Sequence, residues 1–347
     1  MKINKIKLIT FSTLFSVFCS FGSGCYYNAK RSPTRNEPTN KTTANEQIQK
    51  KETLQPQNKS DRSVHNLIDS ETDTYKTNNN LDNELKKSSS NIINKCPANS
   101  PDESSVVIGP IIQGENMIPS ARKYSTPVKE VTQMIKNPSI SKKKIVFLTF
   151  DDGPDISKTP KILNILKVNN VHATFFILGS RLQNQTNKNI LTQTYKSGNA
   201  IANHSYSHNM KAIYPQNTLC IPTFMSEVNL TNSMLKDILG PKFDCAVLRM
   251  PGGYNSREYY NDRNIGALTK ILDKKGVISI DWNAENGDAV KGDKSVSSLL
   301  ANVQKYSTDK KVVVLLMHDI SNNTVQALPQ IIKYYKNNGY EFRVISN

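Results

Sequence analysis

Tryptophan occurs once in this chain, and histidine and cysteine five times each. Nothing in the cysteine spacing suggests a metal site built on sulfur, so metal chemistry has to be sought among the histidines and carboxylates. No apolar run is long enough to span a membrane. The one extended candidate, residues 8–21, falls short of the ~20 residues a spanning helix needs and is diluted by Thr10, Ser12, Thr13 and Ser16. Acidic residues are in deficit, 29 against 45 Lys and Arg, for a net charge of +16. Such a balance would suit nucleic acid, but the chain carries no nucleic-acid motif and begins like an exported protein. No nucleic-acid partner is expected.

Lys2, Lys5 and Lys7 precede the apolar stretch, and Gly22-Ser23-Gly24-Cys25 follows it, so residues 1–24 read as an export signal. Small residues before a cysteine resemble the cleavage box of bacterial lipoproteins, where that cysteine is lipidated. Gly22 departs from the box, which usually has a larger aliphatic residue there. Lipidation of Cys25, simple secretion and an uncleaved anchor all stay open, and membrane contact is expected only through such an N-terminal lipid or anchor. Residues 25–105 are rich in Asn, Thr, Ser, Gln and Lys and show no apolar periodicity. They cannot bury enough surface to offset their ordering entropy and read as a disordered tether. The tether holds nearly equal numbers of acids and bases, so most of the positive excess belongs to residues 106–347. An exported basic domain suits an anionic partner such as a cell wall, an anionic glycan or a lipid surface; a proteome simply rich in lysine would give the same count.

From residue 142 onward apolar runs alternate with helical spacing. The strand-like runs are 145–150, 173–178, 200–203, 245–248, 277–281, 312–317 and 341–345. Between them, 160–167, 187–197, 225–239, 265–274, 296–306 and 324–337 have helical periodicity, with Thr159-Pro160 as the expected cap and first-turn proline of the first. Repeated strand–helix units with nearly pure apolar strands imply an α/β fold whose parallel sheet of about seven strands closes towards a (β/α) barrel. Residues 106–141, with an apolar run at 106–108 and a helical-looking 126–135, are expected to wrap this core as an N-terminal extension. Cys220 and Cys245 flank one helical segment and either bridge or stay buried free thiols, with Cys96 left in the tether. A monomer is expected.

Polar clusters sit at the ends of the apolar runs, where parallel α/β folds carry their chemistry. They are Thr149-Phe150-Asp151-Asp152-Gly153, His204-Ser205-Tyr206-Ser207-His208, Arg249-Met250-Pro251-Gly252-Gly253, Asp281-Trp282 and Leu315-Leu316-Met317-His318-Asp319. Successive strand residues point to opposite sides, so Asp151 and Asp152 should face different partners, one a metal and the other the substrate. Acidic pairs in turns are mostly structural when met alone. His204 and His208 are four apart, so a helical turn would bring both imidazoles to one side. Two histidines and one aspartate form a three-ligand set with an open position for water, as in catalytic zinc sites; the bland alternative is two surface histidines in a polar loop. Arg249 at a strand end needs an anion, and the glycine pair Gly252-Gly253 offers unobstructed N–H groups to an oxyanion. Trp282 is a core residue or a platform for a sugar ring.

The five clusters, in this order, resemble the motifs of the NodB-type polysaccharide deacetylases, carbohydrate esterase family four, over residues 142–347. The resemblance implies a distorted (β/α) barrel and a metal-dependent hydrolase that removes acetyl groups from N-acetylated sugars. By position, Asp151 is implied as general base, Asp152, His204 and His208 as metal ligands, and Arg249 as the holder of Asp151. His318 is implied as general acid with Asp281 behind it, raising its pKa, and Gly252 N–H as an oxyanion donor. Trp282 and Leu316 are implied to line the acetyl pocket, with Tyr254 as a further substrate contact. The implied cofactor is a divalent metal, zinc first, with cobalt, nickel or iron also suited to this donor set. The implied partner is a glycan polymer, foremost the N-acetylglucosamine of peptidoglycan. Chitin-like oligomers, an exopolysaccharide, acetylxylan and the role of an inactive glycan binder are the alternatives. Gly252 stands where relatives often have tyrosine, and Gly198-Asn199-Ala200-Ile201-Ala202-Asn203 replaces their usual Gly-His-Glu-Ile-Gly-Asn. The segment from Asn283 to Asp288 has no reading from sequence.

Overall fold

Ile145, Val146, Phe147 and Leu148 follow one another without a polar break, and all four are buried. A strand can hide such a run only if both its faces are covered, which a helix-clad parallel sheet provides. The computed structural model describes residues 113–292 and 294–347. The expected leader, the tether with Cys25 and Cys96, and residues 106–112 of the extension lie outside them. In chain order come β1 (Ser125–Pro127), α1 (Val128–Lys136), β2 (Lys144–Gly153), α2 (Thr159–Val168) and β3 (Thr174–Ile177). Next are α3 (Gln185–Lys196), β4 (Ala200–Asn203), the short α4 (Met210–Ile213), α5 (Ile221–Leu239) and β5 (Val247–Leu248). Then follow α6 (Tyr254–Tyr259), α7 (Ile265–Lys275), β6 (Ile278–Ser279), β7 (Ala284–Glu285) and α8 (Val296–Ser307). The chain finishes with β8 (Val312–His318), α9 (Asn322–Asn337), β9 (Tyr340–Phe342) and β10 (Val344–Ser346). None of these helices is long and apolar enough to cross a membrane.

The main sheet is parallel throughout, in the order β6-β5-β4-β3-β2-β8-β7, with β9 added to the start of β2. Its two edge strands, β6 and β7, do not pair. They are joined by residues 280–283 alone, a link that spans at most ~3.3–3.6 Å per residue, so the sheet must curl until its edges nearly meet. The result is a distorted barrel closed by a stretch of chain instead of a ladder. Asn283 seals the β8 side of the seam: its side chain accepts from Val314 N at 2.8 Å and donates to Val312 O at 2.9 Å. Ile280 N seals the other side by donating to Leu248 O at 2.8 Å.

Residues 113–141 pack on the end of the barrel away from the strands' carboxyl ends. Val128, Val131 and Met134 of α1 join the core, β1 pairs in parallel with β10, and Asn116 donates to Ile345 O at 3.0 Å. The expected strand over 341–345 is two strands instead, because the chain leaves β2 after Phe342 and crosses to β1 at Val344. The expected helix 126–135 begins only at Val128, its first residues being spent on β1. Thr159 does not cap α2. It lies inside the first turn, and its hydroxyl donates to Asp319 Oδ2 at 2.5 Å while accepting from Asp155 N at 2.8 Å. Cys245 is a free, buried thiol whose pKa burial pushes up to about 12, whereas Cys220 is disulfide-bonded. The pairing of Cys220 with Cys245 therefore does not form.

Gly153 ends β2 directly against the buried carboxyl of Asp319, which burial pushes up to about 7. A methyl group there would overlap that carboxyl, which Thr159 holds in place. Gly153→Ala should cost about 1–3 kcal/mol, the usual penalty for overpacking, seen as a lowered midpoint of denaturant unfolding. An unchanged midpoint would mean that Asp319 has room to move aside.

Candidate metal centre and active site

Every cluster named from the sequence lies at a carboxyl strand end, and the curl of the sheet gathers them at one mouth. Asp151 sits opposite His318 in the β2–β8 register. The next residue breaks the strand: Asp152 has φ 76°, and the β2–β3 register shifts between Asp151 and Gly153. This bulge overrides strict alternation. Both carboxylates reach the same imidazole, Asp151 Oδ2 lying 3.6 Å and Asp152 Oδ1 3.5 Å from His204 Nε2. They still differ in partner, because Asp151 Oδ1 accepts from Arg249 at 2.8 Å.

The two histidines are not on a helical turn. Residues 204–208 form a loop with Ser205 at φ 68° and His208 at φ 54°, left-handed conformations that cost non-glycine residues about 1–3 kcal/mol each. Helix α5 over-determines that shape. Glu227, buried, accepts from Tyr206 N at 3.1 Å, Ser207 N at 3.0 Å and Ser207 Oγ at 2.6 Å. Thr231 donates to Ser205 O at 2.9 Å, and Asn203 Oδ1 accepts from Ser205 N at 2.7 Å. The outcome is that donor atoms of Asp152, His204 and His208 all lie within 4.8 Å of one another. His204 Nδ1 meets Arg249 O at 2.8 Å; a carbonyl can only accept, so that nitrogen carries the proton and Nε2 presents its lone pair. Burial and the neighbouring His208 lower the pKa of His204 against the pull of Asp151 and Asp152, favouring the neutral ring a metal needs. Asp152 Oδ1 is buried and has no hydrogen-bond partner among the described residues. An orphaned carboxylate oxygen facing two imidazoles is what a cation site leaves when only the protein is considered, so these residues fit a divalent metal.

Arg249 is fully buried. Besides Asp151 it donates to Thr149 Oγ at 2.9 Å, to Ile280 O at 3.1 Å and to Asp281 O at 3.3 Å, with its guanidinium 4.0 Å from the Phe176 ring centre. Gly252 follows with φ 75°, its backbone exposed at the mouth. Leu316 shares a face of β8 with His318 and is buried, yet it stands outside the core clusters. Trp282 is half-buried against the core and donates to Glu285.

Two expected placements are corrected. Asp281 is not behind His318: its carboxylate accepts from Tyr254 N at 2.8 Å and Asn255 N at 2.7 Å at the start of α6. Seven residues on, Asp288 takes that place. It accepts from His318 Nδ1 at 2.7 Å, from His318 N at 2.9 Å and from Thr324 Oγ at 2.5 Å. Only the crossing of residues 283–288 from the seam to the end of β8 brings it there, so the acid-rich spacing Glu285–Asp288 was the sole signal in the sequence. The Tyr254 phenol is likewise directed elsewhere, bonded to Thr269 at 2.7 Å with its ring against the Leu248–Met250 cluster; its backbone N–H is what serves the site. Glu227 was also missed, since nothing in sequence ties a mid-helix glutamate to a loop 20 residues earlier.

A family profile for polysaccharide deacetylases matches residues 139–269. The chain is 31% identical to a peptidoglycan-N-acetylglucosamine deacetylase of Bacillus cereus over 65% of its own length and 95% of the relative's. It is 32% identical to the putative polysaccharide deacetylase YheN of Bacillus subtilis over 59% of its own length and 68% of that protein's. The chain belongs to the polysaccharide deacetylase family. Among solved structures, a carbohydrate esterase family 4 esterase of Streptococcus mutans superposes on the deacetylase with a TM-score of 0.60 at 38% identity, covering 66% of this chain and 95% of that one.

Burial lowers the pKa of His318, but the bond to Asp288 and the charges of Asp288, Asp151 and Asp152 outweigh it and raise the ring to about 9. Burial likewise raises Asp288, and the His318 bond and charge overcome it, holding the carboxyl below its ordinary value. A proton donor with that pKa is charged below about pH 9 and is lost as pH rises through it. In Asp288→Asn the upper limb of the kcat/KM profile of the deacetylase should therefore move from about 9 down towards the ordinary histidine range. An unmoved limb would assign it to another group.

Proposed function

We propose that this deacetylase removes acetyl groups from N-acetylglucosamine in peptidoglycan, using one divalent cation held by Asp152, His204 and His208. The convergence of those three donors beside two charged pairs, Asp151–Arg249 and His318–Asp288, carries the reading. Two imidazoles and a carboxylate suit zinc, and also cobalt, nickel or iron. When bound, the cation supplies a Lewis acid for the acetyl carbonyl and makes water acidic enough to attack near neutral pH.

The chain's own groups perform the proton transfers. Arg249 occupies Asp151 Oδ1, which leaves Oδ2 on the His204 side to take the proton of the attacking water. Asp288 holds His318 by Nδ1, so Nε2 is the nitrogen that hands a proton to the departing amine as the C–N bond breaks. The products are a glucosamine residue and acetate. Gly252 N–H is the donor for the negative charge that develops on the acetyl oxygen, and Trp282 and Leu316 wall the acetyl methyl. The names of the relatives support a wall glycan. So do the signal-like start and the basic folded part read from the sequence, which support action on the cell's own envelope.

Asp151→Asn should keep stoichiometric metal and lose about 10²- to 10⁴-fold in turnover, whereas His204→Ala should lose the metal itself. Metal content by elemental analysis, beside acetate release, separates the two; normal turnover in Asp151→Asn would remove Asp151 as the base. Purified wall should release acetate faster than chitin oligomers do, and a chelator should abolish both activities until metal is returned. Activity that survives exhaustive chelation would refute the metal-dependent reading, and a preference for chitin oligomers would refute the wall substrate.

A further inference from the structure

Arg181 stands between the two segments that bear the ligands. It belongs to the 3₁₀ turn Gly179–Gln183 that follows β3. Gly179 N and Ser180 N in that turn donate to Ser205 O at 3.1 Å and Tyr206 O at 3.0 Å in the ligand loop. Arg181 Nε donates to the main-chain oxygen of Asp152 at 3.2 Å, and the buried Asn187 holds the Arg181 carbonyl at 2.8 Å. Backbone and the inner end of the guanidinium are thus fixed. The outer end is not: the side chain is half-buried, and neither terminal nitrogen has a hydrogen-bond or ion-pair partner among the described residues. Arg249 offers the contrast, since its guanidinium is spent on Thr149, Asp151 and two seam carbonyls.

A guanidinium carries donors in a planar fork that matches a carboxylate, and it cannot shed its charge. Held beside residues that fit a divalent cation, an unanswered guanidinium raises the positive potential of one part of the mouth, which favours an anion there. Topology says which part. Strands β3 and β8 flank β2 on opposite sides, so Arg181 and His318 lie on opposite sides of the Asp151–Asp152 pair. The guanidinium is then positioned for a glycan group other than the amine that His318 protonates. N-acetylglucosamine is itself neutral, so the anion has to come from a neighbouring unit.

We propose that Arg181 forms a carboxylate subsite, which reads an acidic group on the glycan next to the sugar undergoing deacetylation. In peptidoglycan that group is the lactyl carboxylate of a muramyl residue or a carboxylate of its stem peptide; chitin has neither. The proposal rests on the reading of this site as a wall-glycan deacetylase and adds how it selects its polymer.

The test measures kcat/KM for wild type, Arg181→Gln and Arg181→Lys on three glycans of equal length, with rates normalised to bound metal. The glycans are chitotetraose, a stem-free alternating N-acetylglucosamine–N-acetylmuramic acid tetrasaccharide, and its stem-bearing counterpart. Arg181→Gln should lose roughly 10- to 100-fold on an acidic glycan, as expected for one charge-assisted pair, and at least about tenfold less on chitotetraose. Arg181→Lys, which keeps the charge without the fork, should fall between. A loss on the stem-free glycan assigns the lactyl carboxylate, and a loss confined to the stem-bearing one assigns the peptide. Equal losses on all three glycans would overturn the subsite alone, leaving Arg181 as a prop for the Asp152 backbone. A wild-type enzyme that releases acetate only from chitotetraose would overturn the wall reading and the subsite together.

Discussion

The guanidinium of Arg249 is the interaction on which the site depends. It is fully buried, and it ties together three parts of the mouth: the end of β2 through Thr149 and Asp151, the seam through the carbonyls of Ile280 and Asp281, and β3 through the Phe176 ring. Its own carbonyl fixes the tautomer of His204. A charge so deep is tolerable because its partners are charged or polar and well placed; removing one side of such a pair typically costs about 3–5 kcal/mol. The same contact that closes the barrel therefore presents one oxygen of Asp151 to the mouth. One side chain thus braces the seam and orients a carboxylate at the mouth.

Backbone strain forms the second constraint. Asp152, Ser205 and His208 are all left-handed non-glycine residues, and all belong to the two segments that carry Asp152, His204 and His208. Such geometry persists only when its surroundings enforce it. Asp152 is held by the bulge in β2 and by Arg181 on its carbonyl, and the histidine loop by Glu227, Thr231 and Asn203. The rigidity sits in those supports, so the donor atoms of Asp152, His204 and His208 converge even though no regular element carries the histidines.

Electrostatically the mouth holds two pairs of opposite construction. Asp151 is matched by a permanent cation, and His318 by a buried carboxylate that keeps it protonated. Asp151 with its Arg249 partner and His318 with its Asp288 partner thus face each other across one register pair, an arrangement that suits an amide cleavage needing both a proton acceptor and a proton donor.

Much of this was legible in the chain as written. Apolar runs with β-branched and aromatic residues define buried parallel strands because backbone pairing and two-sided cover leave little choice, and the clusters at their ends follow from the same geometry. That Asp151, Asp152, His204, His208, Arg249 and His318 stand at strand ends needed no coordinates; that they meet at one mouth did. What sequence could not supply were contacts that cross the barrel. Asp288 replaces Asp281 behind His318 because residues 280–283 bridge the seam and the chain then runs on to the end of β8; Tyr254 lends a backbone N–H instead of its ring because Asp281 caps α6. Local pattern reports which face a side chain prefers. Which partner waits there depends on how far the sheet curls, and that is decided only when the whole core packs.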